Sequence, residues 1–116
     1  MEEGEYTHII VETFEGPPQS GRHGTVHVRA LPGQGVPYDL IVESPKSMRR
    51  NHPVGTKFKI MARLKRRGQT PFLYTSWQWA YEVVSDAEAA RFIKNVFAST
   101  LTRHPTRTRG ERRAKV

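Results

Sequence analysis

Between residues 57 and 65 the chain reads Lys-Phe-Lys-Ile-Met-Ala-Arg-Leu-Lys. Even positions are apolar and odd positions, except Met61, are cationic. Successive side chains of a strand point to opposite faces, so this period of two predicts a strand with one buried and one solvated face. Phe58, Ile60, Ala62 and Leu64 then point inward. Lys57, Lys59, Arg63 and Lys65 stand outward, alternate positions being about 7 Å apart along the strand.

The same reading gives about five strands. Residues 6–14 are rich in Thr, Ile and Val, and residues 25–31 alternate Val26, Val28 and Ala30 against His27 and Arg29. Residues 38–43 form a third strand, and 44–53 a loop or a single helical turn. Gly- and Pro-rich stretches at 16–24 and 32–35 separate the first three strands. The basic strand, 56–65, pairs with 72–84 across the cationic turn 66–71 in the longest hairpin. Over 72–84 the odd positions carry Leu73, Thr75, Trp77, Trp79, Tyr81 and Val83, which places Trp77, Trp79 and Tyr81 in the core. Tyr74 falls on the polar side. A bulge within 75–78 would reverse the register and expose the tryptophans.

Ser85-Asp86-Ala87-Glu88 is a capping box, with Ser at the cap and Glu three residues on. It opens a helix over about 85–101 whose Ala89, Phe92, Ile93, Val96, Phe97 and Leu101 share one side. That stripe is expected to cover one open end or face of the sheet. Together these elements predict a mainly β fold: a small five-stranded, partly open β-barrel, OB-like or SH3-like, with one C-terminal amphipathic α-helix. An OB order needs a helix between the third and fourth strands, where only 44–53 is free. Residues 1–102 form a single domain, and 103–116, with six basic residues and almost no apolar ones, a disordered basic tail.

Charge sharpens the functional expectation. The formal net charge is +8, and 46–67 carries nine basic residues and no acidic one. The aromatic stretch 72–81 follows at once. Basic side chains beside flat ones are what a protein uses to neutralise phosphates and stack on unpaired bases. Lys57, Lys59, Arg63, Lys65, Arg66 and Arg67, with Arg49 and Arg50, are the candidate phosphate contacts. Phe72 and Tyr74 are the candidate stacking residues, joined by Trp77 or Trp79 if exposed. The expected partner is single-stranded DNA or RNA, bound with little sequence preference and without catalysis. The alternative is an assembly module, such as an accessory protein of a phage, mobile element or larger complex, with an acidic protein partner. A lysine row also serves simply to solvate a strand and protect a sheet edge.

Other chemistry is excluded or weakly supported. Arg22-His23-Gly24 matches the short signature of phosphohistidine phosphatases, but the chain is too short for their fold and offers no second catalytic histidine. Asp39, Glu43 and Lys46 resemble the acidic-plus-lysine cluster of metal-dependent nucleases. On one strand, however, these carboxylates lie about 13 Å apart and cannot share a cation unless Glu12 or Glu82 joins one of them. The five histidines show no zinc-ligand spacing and there is no cysteine, so neither metal nor cofactor is expected. Absent cysteine, absent membrane-length apolar run and an acidic N-terminus unlike a secretory signal fit a cytoplasmic protein.

Overall fold

The structure, a computed structural model, describes residues 4–17, 24–37, 39–76 and 78–103, the last five as backbone. Among them lie β1 (Tyr6–Glu15), β2 (Val26–Ala30), β3 (Val42–Glu43), α1 (Lys46–Arg50), β4 (Lys57–Arg67), β5 (Thr70–Tyr74), β6 (Glu82–Val84) and α2 (Asp86–Arg103). The strands form one six-stranded sheet in the order β2-β1-β4-β5-β3, with β6 also paired to β4. β3 runs parallel to β5 and the other pairings are antiparallel. β2 and β3, the two ends of the path, approach within 8 Å between Cα atoms. No ladder joins them among the described residues, so the sheet curls without closing into a barrel.

The alternation in β4 sets the core. Phe58, Ile60, Ala62 and Leu64 are all buried and pack with Ile9, Val11, Val28, Val42 and Leu73. Met48 of α1 is fully buried in the same cluster. A five-residue helix is unstable alone. Burying one such side chain, worth about 1.5–3 kcal/mol, anchors α1 to the sheet.

The expected long strand 72–84 is broken. From Arg63↔Tyr74 to Lys59↔Glu82 the chain advances four residues along β4 but eight along its partner. The four surplus residues leave the ladder within 75–81, so Trp79 is not on a strand. β4 also runs on to Arg67 and pairs it with Thr70, which leaves Gly68-Gln69 as a two-residue loop. Gly68 adopts φ +65°, the left-handed conformation that tight hairpins of the mirror-image types require. The third strand shrinks to Val42–Glu43, and the helical turn expected within 44–53 is α1.

One polar side chain completes the β1 edge. Gln34 is 7% exposed, and its amide pairs with Ile10 as a peptide would. Ile10 N–H donates to Gln34 Oε1 at 2.6 Å, and Gln34 Nε2 donates to the carbonyls of Ile10 and Leu31, each at 2.8 Å.

Helix α2 lies on the outer face of the sheet, where Ala89, Phe92 and Ile93 meet Ile10, Leu31 and Val84. Phe97, of the same stripe, is 58% exposed. The capping box is formed in both directions: Glu88 N–H donates to Ser85 Oγ (3.1 Å) and Ser85 N–H donates to Glu88 Oε1 (2.8 Å). The backbone N–H of Ser85, then its hydroxyl, hold the Glu88 carboxyl below its ordinary 4.5. Its contribution is therefore complete above pH 4.5 and lost as pH falls through the lowered value. Ser85→Ala is expected to cost about 1 kcal/mol in urea unfolding at neutral pH and less in acid, because the lost hydroxyl also favours the ionised Glu88 carboxyl. A cost that does not shrink in acid would show that the hydroxyl does not act on that carboxylate.

The expected tail, 103–116, lies outside the described residues apart from Arg103 at the end of α2, and Trp77 also lies outside them. No helix among the described residues is long and apolar enough to cross a membrane.

Candidate functional site

The outward cations of β4 divide into two groups. At its N-terminal end Lys57 Nζ lies 2.9 Å from Asp86 Oδ1 and 3.5 Å from Glu12 Oε2. The Asp86 hydrogen bond, supported by both carboxylate charges against partial burial, raises the Lys57 ammonium above its ordinary 10.5. The stabilisation from this tie is complete below pH 10.5 and is lost as pH rises through the raised value. Lys59 Nζ sits 5.0 Å from the centre of the Phe92 ring, in a groove of about 260 Å³ that also carries Glu82, Glu88 and Arg91. Both lysines thus face helix α2 and its acidic neighbours.

The C-terminal half of β4 is different. Register places Tyr6, Arg63 and Tyr74 side by side across β1, β4 and β5. Arg63 Nη1 donates to Tyr6 Oη at 2.9 Å, and its guanidinium lies 4.9 Å from the centre of that ring. Trp79, carried in by the surplus segment, meets both tyrosines edge to face, at 5.3 Å from Tyr6 and 5.9 Å from Tyr74. Lys65 Nζ lies 4.6 Å from the Tyr74 ring centre and the Arg67 guanidinium 4.6 Å from that of Phe72. Cations alternate with rings across three strands.

Of the residues predicted from sequence, Arg63, Lys65, Arg67, Phe72 and Tyr74 meet on this face. Arg66 is at the hairpin tip, where its Nη1 approaches the Gln69 carbonyl at 3.4 Å. Arg49 lines a groove of about 330 Å³ that Tyr74 also lines, and Arg50 is exposed at the end of α1. Lys57 and Lys59 lie at the other end of β4. Phe72 is only 6% exposed beneath Arg67, so a base reaches its ring only after that side chain moves. Tyr74 and Trp79 are half-exposed, and Tyr6 is 51% exposed.

Two members were not identified from sequence, Tyr6 and Glu43 as a partner of the cations, and Trp79 is expected at the surface only where the strand is interrupted. Glu43 Oε2 accepts from Arg67 Nη1 at 2.9 Å. Tyr81, unlike Trp79, is a core residue as expected, packed on Phe58 and within 3.2 Å of His52 Nε2 through its hydroxyl. His27 is buried beside Phe14, with Nε2 donating to the Pro17 carbonyl at 2.8 Å, and plays a structural part. Glu12 and Glu82 flank the α2 end of β4, remote in register from Glu43. No group of three His, Asp or Glu side chains able to hold a metal ion gathers among the described residues.

Two buried side-chain polar atoms among the described residues have no hydrogen-bond partner, Ser44 Oγ and Arg63 Nε. An unsatisfied buried polar atom carries a free-energy cost that calls for an explanation. Arg63 belongs to the cation–aromatic row and Ser44 to the groove beside Tyr74. Comparison with known proteins finds no matching family model, no matching curated protein and no matching solved structure.

Proposed function

We propose that this chain binds single-stranded nucleic acid, without catalysis, on the outer face of β5 and the C-terminal half of β4. The observation that carries this reading is the row Tyr6–Arg63–Tyr74 with Trp79 against both tyrosines and Lys65 over Tyr74. Stacking of an unpaired base on an aromatic ring is worth about 1–3 kcal/mol, and cations within about 5 Å of such rings are placed for the adjoining phosphates. An acidic protein partner would be favoured by a compact apolar patch. The large apolar side chains exposed among the described residues, Tyr6, Val54, Val83 and Phe97, instead belong to four different segments.

The fold supports an OB-like version of this proposal. If β2 paired with β3, the ring would close in the order β1-β2-β3-β5-β4, which is the OB order. The parallel β3–β5 pair and α1, between β3 and β4, fit the same scheme. In OB-folds the turn between the last two barrel strands is one of the loops that bind oligonucleotides. Here that turn joins β4 to β5 and is flanked by Arg66 and Arg67.

Fluorescence anisotropy of labelled single-stranded DNA, single-stranded RNA and duplex DNA, at low and near-physiological salt, tests the proposal. One or both single strands are expected to bind more tightly than duplex and to stay bound at the higher salt, since stacking is not screened. No binding at low salt, or equal binding of every polyanion that vanishes with salt, overturns it.

A further inference from the structure

We infer that the groove beside Tyr74 is a base pocket that prefers guanine, an inference that rests on the single-strand reading above. Its walls are Tyr74 and Thr75 of the β5 end, Glu43 and Ser44 of the β3 end, and Lys46 and Arg49 of α1. The parallel ladder sets Glu43 directly beside Tyr74, and Thr75 N–H donating to the Glu43 carbonyl (3.0 Å) locks that register. Buried Met48 fixes α1 against the same end of the sheet. At about 330 Å³ the groove is in the size range of a small-ligand site.

The carboxylate is the telling feature. A surface that only neutralised phosphates would be weakened by an anion held among its cations. Glu43 is nevertheless kept there by Arg67, 2.9 Å from Oε2, beside the most accessible ring of β5. A carboxylate next to a stacking ring is suited to accept hydrogen bonds from a base edge. Guanine alone offers two adjacent donors on one edge, N1–H and N2–H, to match two carboxylate oxygens. Adenine and cytosine set an unprotonated ring nitrogen beside their amino group, and thymine or uracil flanks its single N–H with two carbonyls. Each of these turns an acceptor toward Glu43. Lys46 and Arg49 supply donors of the kind that bind the O6 and N7 acceptors of guanine. Ser44, whose hydroxyl is buried and without a hydrogen-bond partner, also lines the groove.

The test is anisotropy of the full chain with an oligothymidylate and with the same strand carrying one central guanine, adenine or cytosine. The guanine strand is expected to bind about tenfold more tightly than the oligothymidylate, with adenine and cytosine between. Glu43→Gln is expected to bring the guanine-strand affinity down to that of the oligothymidylate and so abolish that ratio, because an amide offers one acceptor where the carboxylate offers two. Equal binding of all four strands overturns the pocket and leaves the single-strand reading standing. A guanine preference that survives in Glu43→Gln also overturns it, because the preference then lies elsewhere. Failure of every strand to bind overturns both.

Discussion

Replacing Arg63, Lys65 and Arg67 together by alanine is expected to weaken single-strand binding about a hundredfold at 0.1 M salt and to flatten its salt dependence by about 2 logarithmic units per decade. Counterion release sets the size of this effect. Each neutralised phosphate of a single strand contributes about 0.7 to the slope of log K against log salt, so three contacts contribute about 2. These three cations lie over Tyr6, Tyr74 and Phe72, and Arg67 is also paired with Glu43. Lys57→Ala with Lys59→Ala removes as dense a pair of charges from the same strand. It is expected to change affinity by less than about threefold, because Lys57 is tied to Asp86 and Glu12 and Lys59 lies over Phe92. Anisotropy titrations of both variants over a range of salt separate the two. Equal losses per charge removed would mean that binding follows net charge and not this face.

Gln34→Leu is expected to be the most destabilising polar substitution, at about 2–4 kcal/mol, or roughly 10–20 °C in Tm. The leucine fills similar space but leaves the buried Ile10 N–H without an acceptor and the Leu31 carbonyl without its Gln34 donor. Ile10 lies where β1 touches both β4 and the packing of α2, so the cost falls on two layers at once. Arg29→Ala provides the contrast. It removes an exposed ion pair with Glu12 and a cation over Phe14, and is expected to cost less than about 1 kcal/mol. Thermal and urea unfolding of both variants gives the comparison. A Gln34→Leu protein as stable as the parent would show that the amide is not holding the β1 edge.

What the sequence made legible was local. The period of two in β4 identified its buried and outward faces, and the capping box located the start of α2. What it concealed depended on register between distant segments. The surplus in 75–81 is an even number of residues, so it preserves the odd–even pattern on either side and leaves no trace in the periodicity. For that reason the periodicity alone places Trp79 in the core. Lys57 and Lys59 carry the same alternation as Arg63 and Lys65, and only the passage of α2 over one end separates them. Tyr6 joins the site because β1 pairs it with Arg63, across 57 residues of chain. Gln34 sits in a Pro-Gly-Gln-Gly turn that reads as solvent-exposed, and its burial comes from a partner 24 residues away.

Photocrosslinking locates a bound single strand on the protein surface. Oligonucleotides carrying 4-thiouridine or 5-iodouracil would be irradiated with the full chain and the adducts located by mass spectrometry. Adducts on Tyr6, Tyr74 and Trp79, lost in the Arg63, Lys65 and Arg67 triple variant, are the predicted result. Adducts confined to α2 or to the β2 side at Phe14, or none from a bound strand on β1, β5 or the 75–81 segment, would contradict it.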